Sequence, residues 1–377
     1  MQKSPSGQRS ETEPMMGQGH VAVEGLRGLC RLLAPGATRD GLVARWPDAP
    51  VWPALVAQAD AHRLLPALAA TLIRHRLTDR LDDELVPLLE EVAAWNTGRN
   101  EGLRRQLLGL SRAFNGAGVA PVWLKGALAL LPADGPASGR MMLDLDVWVP
   151  SLDGQRRALE ALERLGYGFA AEQMPLYADT QHYPAHFHPG EMARLELHRS
   201  ILPARHHALL PPDAAADGIE WMDWEGTRIG RLDAPSRALC ALAQCARPEN
   251  SIRETSEVPL MKALDFAGRI HADFGGAVPD VLTERVVQAG WAGCTRPVFT
   301  LTERYFGIPS PLPADDRLVR ALERGLRHPR WNLAVLAVGS VFGVRGRSLL
   351  RDPRRIAGAV RNHLAQLRTP RSHHPVE

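Results

Sequence analysis

Between Leu143 and Val149 the chain reads Leu-Asp-Leu-Asp-Val-Trp-Val, and no other stretch restricts its fold as strongly. Side chains of an extended strand alternate faces, so Asp144 and Asp146 project the same way, roughly 7 Å apart at Cα. Leu145, Val147 and Val149 project the other way, into apolar packing. A strand of this kind belongs to a sheet that is packed with hydrocarbon on one face. On the other it presents two carboxylates, either to water or to a cation.

The surroundings support a small α/β unit. From about Thr97 to Ala208 helix and strand signals alternate. Leu103, Leu107, Leu110 and Phe114 recur at helical spacing, and Gly116 and Gly118 end that helix. Pro121-Val122-Trp123-Leu124 reads as a short buried strand, Gly126 opens a short helix through Leu131, and a Gly/Pro/Ser loop follows from Pro132 to Gly139. Met142 to Val149 is the second strand, ended by Pro150. Ser151 is a good N-cap for a helix that buries Ala158, Leu159, Leu162 and Leu165 and closes at Gly166. Tyr167 to Ala170 and Met192 to Ser200 are the next strand candidates.

Two carboxylates on one face of a rigid strand can share or bridge hard cations, and magnesium leaves coordination positions for phosphate oxygens. Two ions about 4 Å apart can hold the attacking and leaving oxygens of an in-line displacement. Alone, Asp-x-Asp is a weak motif, and three neighbours strengthen it. Lys125-Gly126 stands at a strand-to-helix junction, where glycine admits a phosphate and free N–H groups favour an anion. It is not a P-loop. Arg140 stands four residues before Asp144, where a guanidinium can clamp phosphate oxygens in a bidentate manner. In Arg194-Leu195-Glu196-Leu197-His198, Glu196 and His198 share a face, and Glu196 can complete a metal site or act as a general base. Each has a plain structural alternative: an ordinary helix start, a surface ion pair, a solvated strand residue.

Together, Lys-Gly, Arg-x-x-x-Asp-x-Asp and Glu-Leu-His resemble the uncharacterised nucleotidyltransferase family of the polymerase-β-like superfamily. Ala59-x-x-His62-x-Leu64-Leu65-Pro66 and Leu260-Met261-Lys262-Ala263-Leu264-Asp265 resemble its flanking helical segments, so the likeness spans roughly Ala59 to Ile270. Arg199 stands where an aromatic is commoner in the family, and the helix around Leu239 to Cys245 lacks the expected histidine. The resemblance implies an α+β fold, a small mixed sheet with flanking helices, set between N- and C-terminal helical regions. It implies Asp144, Asp146 and Glu196 as catalytic, metal-holding acids, with Lys125, Gly126, Arg140 and His198 toward the nucleotide. It also implies Mg²⁺ or Mn²⁺, an NTP donor, and an acceptor that is a small molecule, an RNA end or a protein.

The organisation expected is a disordered tail over 1–20, a helical region over 21–96, the nucleotidyltransferase core over 97–208, and a C-terminal helical domain with a basic tail over 209–377. Leu26, Leu29, Cys30 and Leu33 form one apolar stripe and Leu55 to Leu72 another, with Pro53 and Pro66 at helix starts or kinks. The net charge of +3 indicates no global field for nucleic acid, and only Lys3, Lys125 and Lys262 are lysines. Four cysteines without CxxC spacing and a polar N-terminal stretch point to a reducing cytoplasm. Trp331 to Val344 is expected to be a buried helix, without stable membrane insertion. Arg345 to Arg371 lacks aromatic residues and is expected to be a solvated face or loose end, not a base-stacking surface.

His182, His186, His188 and His198 invite a zinc reading. Pro184 opposes the helix that would put His182 and His186 on one face. Cys240 and Cys245 are expected in a core. A glycosyltransferase using a sugar nucleotide, or a non-catalytic nucleotide-binding regulator, are the alternative functions.

Overall fold

The computed structural model describes residues 17–131, 139–169, 180–246 and 260–328. Trp331 to Val344, the arginine-rich tail and most of the loop after Leu131 lie outside the described residues, as does most of the N-terminal tail.

Local chemistry sets the helix ends. In α1 (Gln18–Leu33), Leu26, Leu29, Cys30 and Leu33 are buried, and Gly25 lets the helix approach α3 (Trp52–Ala61) closely. A Cβ at Gly25 would stand 2.8 Å from the carbonyl carbon of Ala54. Thr38 caps α2 (Arg39–Ala44). Proline stands in the first turn of α3 and of α4 (Leu65–Arg74), where its missing N–H costs nothing. Between those two helices Arg63 takes φ 57° while Leu64 N donates to Ala59 O, a Schellman-type stop. α5 (Leu85–Gly116) runs for 32 residues, past position 96, so one helix carries the chain from the N-terminal helical region into the core.

Five strands form one mixed sheet in the order β3-β2-β1-β5-β4. β1 (Val122–Leu124) is antiparallel to β2 (Asp144–Trp148), and β2 is parallel to β3 (Arg194–His198). α6 (Leu152–Arg164), capped by Ser151, makes the crossover between them. Tyr167 to Ala170 supplies only a single bridge, Gly168 to Phe187, within its described residues.

The sheet is packed on both faces. Trp123, Leu145, Val147, Leu195 and Leu197 meet Leu107 and Phe114 of α5 and Ala158 and Leu162 of α6. Val122, Leu124 and Trp148 face the other way. There they join a core shared by α1, α3, α4, α8 (Ala234–Ala246), α9 (Leu260–Phe274) and α11 (Ala292–Phe306). The helices before and after the sheet therefore pack on each other as well as on it. Arg27 of α1 pairs at 2.6 Å with Glu323 of α12 (Arg317–Arg327), linking the two ends of the described chain. α10 (Asp280–Gln288) packs beside α8. Cys240 and Cys245 are buried on α8 within this core.

One part of the sheet departs from the sequence reading. After α7 (Pro212–Asp217) helices are expected, yet β4 (Ile219–Trp224) and β5 (Thr227–Leu232) form an antiparallel hairpin, with β5 parallel to β1. Their pattern is masked because β4 is an edge strand, with Trp221 half exposed, so apolar and polar residues do not alternate cleanly. The turn itself was readable. Glu225 and Gly226 take φ 49° and 72°, the left-handed pair that a two-residue hairpin needs.

Candidate functional site

The acid-bearing face of β2 lies on the side of Leu124 and Trp148, near the end of β1 where the chain leaves the sheet. Side chains of α5 hold the approach to β2. Arg99 donates to Met142 O at 3.0 and 3.1 Å, and Asn100 donates to Arg140 O at 3.2 Å. Gln106 grips the residue before β3, donating to Ala193 O at 2.7 Å and accepting from Ala193 N at 3.1 Å. Both strands are thus hung from one long helix, which sets their relative height.

Register then decides which groups meet. Asp144 pairs with Arg194, Asp146 with Glu196, and Trp148 with His198. Asp146 is 3% exposed and His198 0%, while Glu196 is partly buried. His198 Nε2 stands 2.8 Å from Asp146 Oδ1, and Lys125 Nζ donates to that same oxygen. Among the described residues, Asp146, Glu196 and His198 form the group able to hold a metal ion. Their ligand atoms lie within 4.8 Å of one another.

Asp144 is not in that group. Its carboxylate accepts from Arg194 Nη2 at 3.2 Å, and the same guanidinium reaches Glu196 at 3.5 Å. Its side chain is 34% exposed. His198, read from sequence as a nucleotide contact, instead lies among the ligand-bearing side chains. His182 also approaches, with Nε2 at 3.9 Å from Glu196 Oε2 and its ring 5.4 Å from that of His198. His186 pairs through its backbone with Leu195, so His182 and His186 sit on an extended segment bordering β3, not on a helix.

Burial and charge polarise the group. Burial disfavours the Lys125 ammonium, but Asp146 and Glu196 outweigh it and hold its pKa above the usual lysine value. Burial would raise Asp146, yet Lys125 and His198 keep its carboxyl well below the usual carboxylate range. Burial, and then the charge of Asp146, push Glu196 up. Burial and the neighbouring ammonium push His198 down to about 4. The site therefore holds an ionised Asp146, a carboxylate easier to protonate than normal, and a neutral imidazole. His198 Nδ1 lies 3.2 Å from Ser200 O and Nε2 2.8 Å from Asp146 Oδ1; a ring proton on Nε2 donates to that carboxylate beside the Lys125 ammonium, and a proton on Nδ1 leaves the Nε2 lone pair facing the acid group.

Lys125 has φ 52°, an uncommon conformation for a residue with a Cβ. It opens the 3₁₀ turn Lys125–Leu130 and forms the hinge between two features. On one side is the acid group. On the other is a cavity of about 470 Å³ that Lys125 lines with Gly126 and Arg140. Asp146, Glu196 and His198 are not in the cavity wall, so the two are neighbours that share one lysine. Among the described residues the wall is strongly cationic: besides Lys125 and Arg140 it contains Arg63, Arg74, Arg237, Lys262 and Arg269, against the single acid Asp265. Arg140 Nη2 pairs with Asp265 at 2.7 Å, which holds the guanidinium at the mouth of the β2 segment. Two of the three lysines in the sequence line this one space. The family-like segments around Ala59–Pro66 and Leu260–Asp265 both contribute to its wall, through Arg63 and Leu64, and through Met261, Lys262 and Asp265.

A family described as "Uncharacterised nucleotidyltransferase" matches residues 48–307, more than half of the chain. The chain belongs to this nucleotidyltransferase family. Comparison with curated proteins and with solved structures yields no match. The family match takes in α3 through α11, and so includes all five strands, the acid group and the whole cavity wall apart from Leu33. The mixed sheet with flanking helices is the α+β fold expected of this nucleotidyltransferase family. Among the described residues, no helix is long and apolar enough to cross a membrane.

Proposed function

We propose that this chain is a metal-dependent nucleotidyltransferase moving a nucleoside monophosphate from an NTP to an acceptor hydroxyl. The observation that carries the reading is the β2–β3 register, which sets Glu196 beside Asp146 and brings His198 to the same oxygen. Family membership supports nucleotidyl transfer over sugar transfer from a sugar nucleotide.

The donor set fits a divalent cation. Two carboxylates and an imidazole offer ligand atoms within 4.8 Å, and the Lys125 ammonium already rests on Asp146 as a positive charge. Mg²⁺ or Mn²⁺ would be held by Asp146 and Glu196 with His198, and Asp144 is the adjacent acid on β2, its carboxylate engaged by Arg194. Such an ion supplies Lewis-acid polarisation of the phosphate and a charge for its oxygens.

The chain's own residues do the rest. Gly126 lets the backbone approach the triphosphate, and Lys125 and Arg140 neutralise its charge from the cavity side. Glu196, whose proton affinity is raised, takes the proton of the acceptor hydroxyl. The acceptor oxygen bonds to the α-phosphorus, the α–β bond breaks, and pyrophosphate leaves with the electron pair. Catalysis is then chiefly positioning and charge stabilisation.

The test is conversion of labelled NTPs, each with Mg²⁺ or Mn²⁺, followed by mass spectrometry of candidate acceptors. Asp146→Asn is expected to lower kcat/KM by about a thousandfold, several kcal/mol of transition-state stabilisation. Asp144→Asn is expected to act in the same direction. Wild-type turnover in the Asp146 variant would end this reading.

A further inference from the structure

Because β2 and β3 run parallel and in register, the acid-bearing face of the sheet is built in rungs. Asp144 stands opposite Arg194 on the first, Asp146 opposite Glu196 on the second, and Trp148 opposite His198 on the third. Neighbouring strands lie about 4.8 Å apart, so opposed side chains on one face interact directly. The rungs differ in charge. The second sets two carboxylates side by side, and Lys125 and His198 both meet Asp146 there. The first is already an ion pair.

Arg194 Nη2 donates to Asp144 Oδ2 at 3.2 Å and stands 3.5 Å from Glu196 Oε1, so one nitrogen bridges an acid from each of the first two rungs. Burial disfavours the Arg194 cation, but the hydrogen bond to Asp144 and the charges of Glu196, Asp144 and Asp146 outweigh it. The side chain is 44% exposed, and its Nε and Nη1 make no hydrogen bond to a described residue. A second divalent ion shared by Asp144 and Glu196 would need the oxygens that this guanidinium already holds, and cations on one pair of oxygens repel. Charge balance points the same way. When ionised, Asp144, Asp146 and Glu196 are opposed by Lys125 and Arg194 before any metal enters. One divalent ion on Asp146, Glu196 and His198 makes the group net positive and attractive to a triphosphate. A second adds charge with no acid left to meet it.

We propose that this is a one-ion site, in which the Arg194 guanidinium takes the place of a second metal ion and offers its remaining N–H groups to the phosphate oxygens of the nucleotide. This rests on the metal-dependent transferase reading. Arg194 is then a catalytic residue, and Asp144 is a positioning residue that acts by holding it. A guanidinium suits the task because it stays charged at any working pH and its planar fork matches phosphate oxygens. The bonds made and broken in the transfer stay the same.

The experiment uses the full chain with Mn²⁺ as the probe, read by electron paramagnetic resonance with and without a non-hydrolysable NTP analogue. Two Mn²⁺ ions about 4 Å apart, the spacing of a two-metal site, couple magnetically, whereas a lone ion keeps its isolated spectrum. The wild type is expected to hold a single ion at the acid group and to show no coupled pair even with the analogue bound. Arg194→Gln removes the resident cation but keeps a polar side chain at a half-exposed position. It is expected to take up a second ion and to show the coupled spectrum with the analogue. Adding Asp144→Asn to that variant should return it to a single ion. A coupled pair in the wild type would overturn the proposal, since Arg194 would then yield its place to a metal. So would a single ion in Arg194→Gln, or a second ion that persists in the double variant. A wild type that takes up no Mn²⁺ marks a different failure, that of the metal-dependent reading itself, and the proposal falls with it.

Discussion

Replacing Lys125 with methionine tests the pivot of the site. Methionine keeps the length and apolar stem of lysine and, like lysine, carries a Cβ, so the strain at φ 52° is unchanged. What disappears is the ammonium on Asp146, whose side chain is only 4% exposed. Leaving a buried charge without its partner costs roughly 3–5 kcal/mol. Two relaxations limit the loss. Protonating Asp146 at pH 7 from an ordinary carboxylate value costs about 4 kcal/mol. Protonating His198 instead, once the neighbouring ammonium no longer opposes it, gives an imidazolium 2.8 Å from Asp146 and costs less. The expected net destabilisation without metal is about 2–3 kcal/mol. For a chain of 377 residues that lowers Tm by roughly 2–4 °C. Because a divalent ion supplies the missing charge, Mn²⁺ should raise the Tm of Lys125→Met more than that of the wild type. Differential scanning calorimetry at two Mn²⁺ concentrations reads both effects. A variant as stable as the wild type, with equal stabilisation by Mn²⁺ in each, would refute the argument that Asp146 requires a cation.

Two pH effects follow from the same charges. Without metal Glu196 has a raised pKa, so Mn²⁺ affinity should already fall with pH above the ordinary glutamate value of about 4.3, and this dependence should shrink in Glu196→Gln. Mn²⁺ affinity independent of pH down to that value would remove Glu196 as a ligand that must first lose its proton. His198 is depressed to about 4 in the folded state, whereas unfolded histidine titrates near 6.5. Between those values the unfolded chain binds the extra proton, so metal-free stability should fall as pH drops from about 6.5 to about 4, by up to about 3 kcal/mol. Denaturant midpoints unchanged across that window, or unchanged by His198→Asn in their pH slope, would contradict it. Gly139→Ala places a Cβ 2.7 Å from Ala67 Cα and Pro66 O at φ 71°. The strain and the clash together should destabilise by about 2–4 kcal/mol, and a neutral result by chemical denaturation would be inconsistent with that packing.

Much of the fold was legible because it is written in short-range chemistry. The alternation from Leu143 to Val149 names a strand and says which of its faces is hydrocarbon, since a β-strand sorts its side chains every second residue. Ser151 marks the start of α6, Pro53 and Pro66 mark helix starts, and the spacing of Leu103, Leu107, Leu110 and Phe114 marks α5. Lys125-Gly126, Asp144, Asp146 and Glu196 were singled out from their places on these elements, with His198 set toward the nucleotide, whereas the described acid group joins Asp146, Glu196 and His198 and leaves Asp144 against Arg194. The β4–β5 hairpin escaped because its outer strand is half exposed and lacks a clean alternation, although Glu225-Gly226 held the signal for its turn.

What remained for tertiary structure was every question of which element lies beside which. No local pattern states that β3 pairs in parallel with β2, or that Asp146 faces Glu196 while Asp144 faces Arg194. Strand register is chosen by long-range packing, here by Gln106 and Arg99 reaching from α5 to both strands, and a slip of one residue would have exchanged the faces. The cavity is decided in the same way. Arg63, Lys125 and Lys262 are separated by more than sixty residues from one another in the chain, and only the closure of the N- and C-terminal helices over one core brings their charges to a common space.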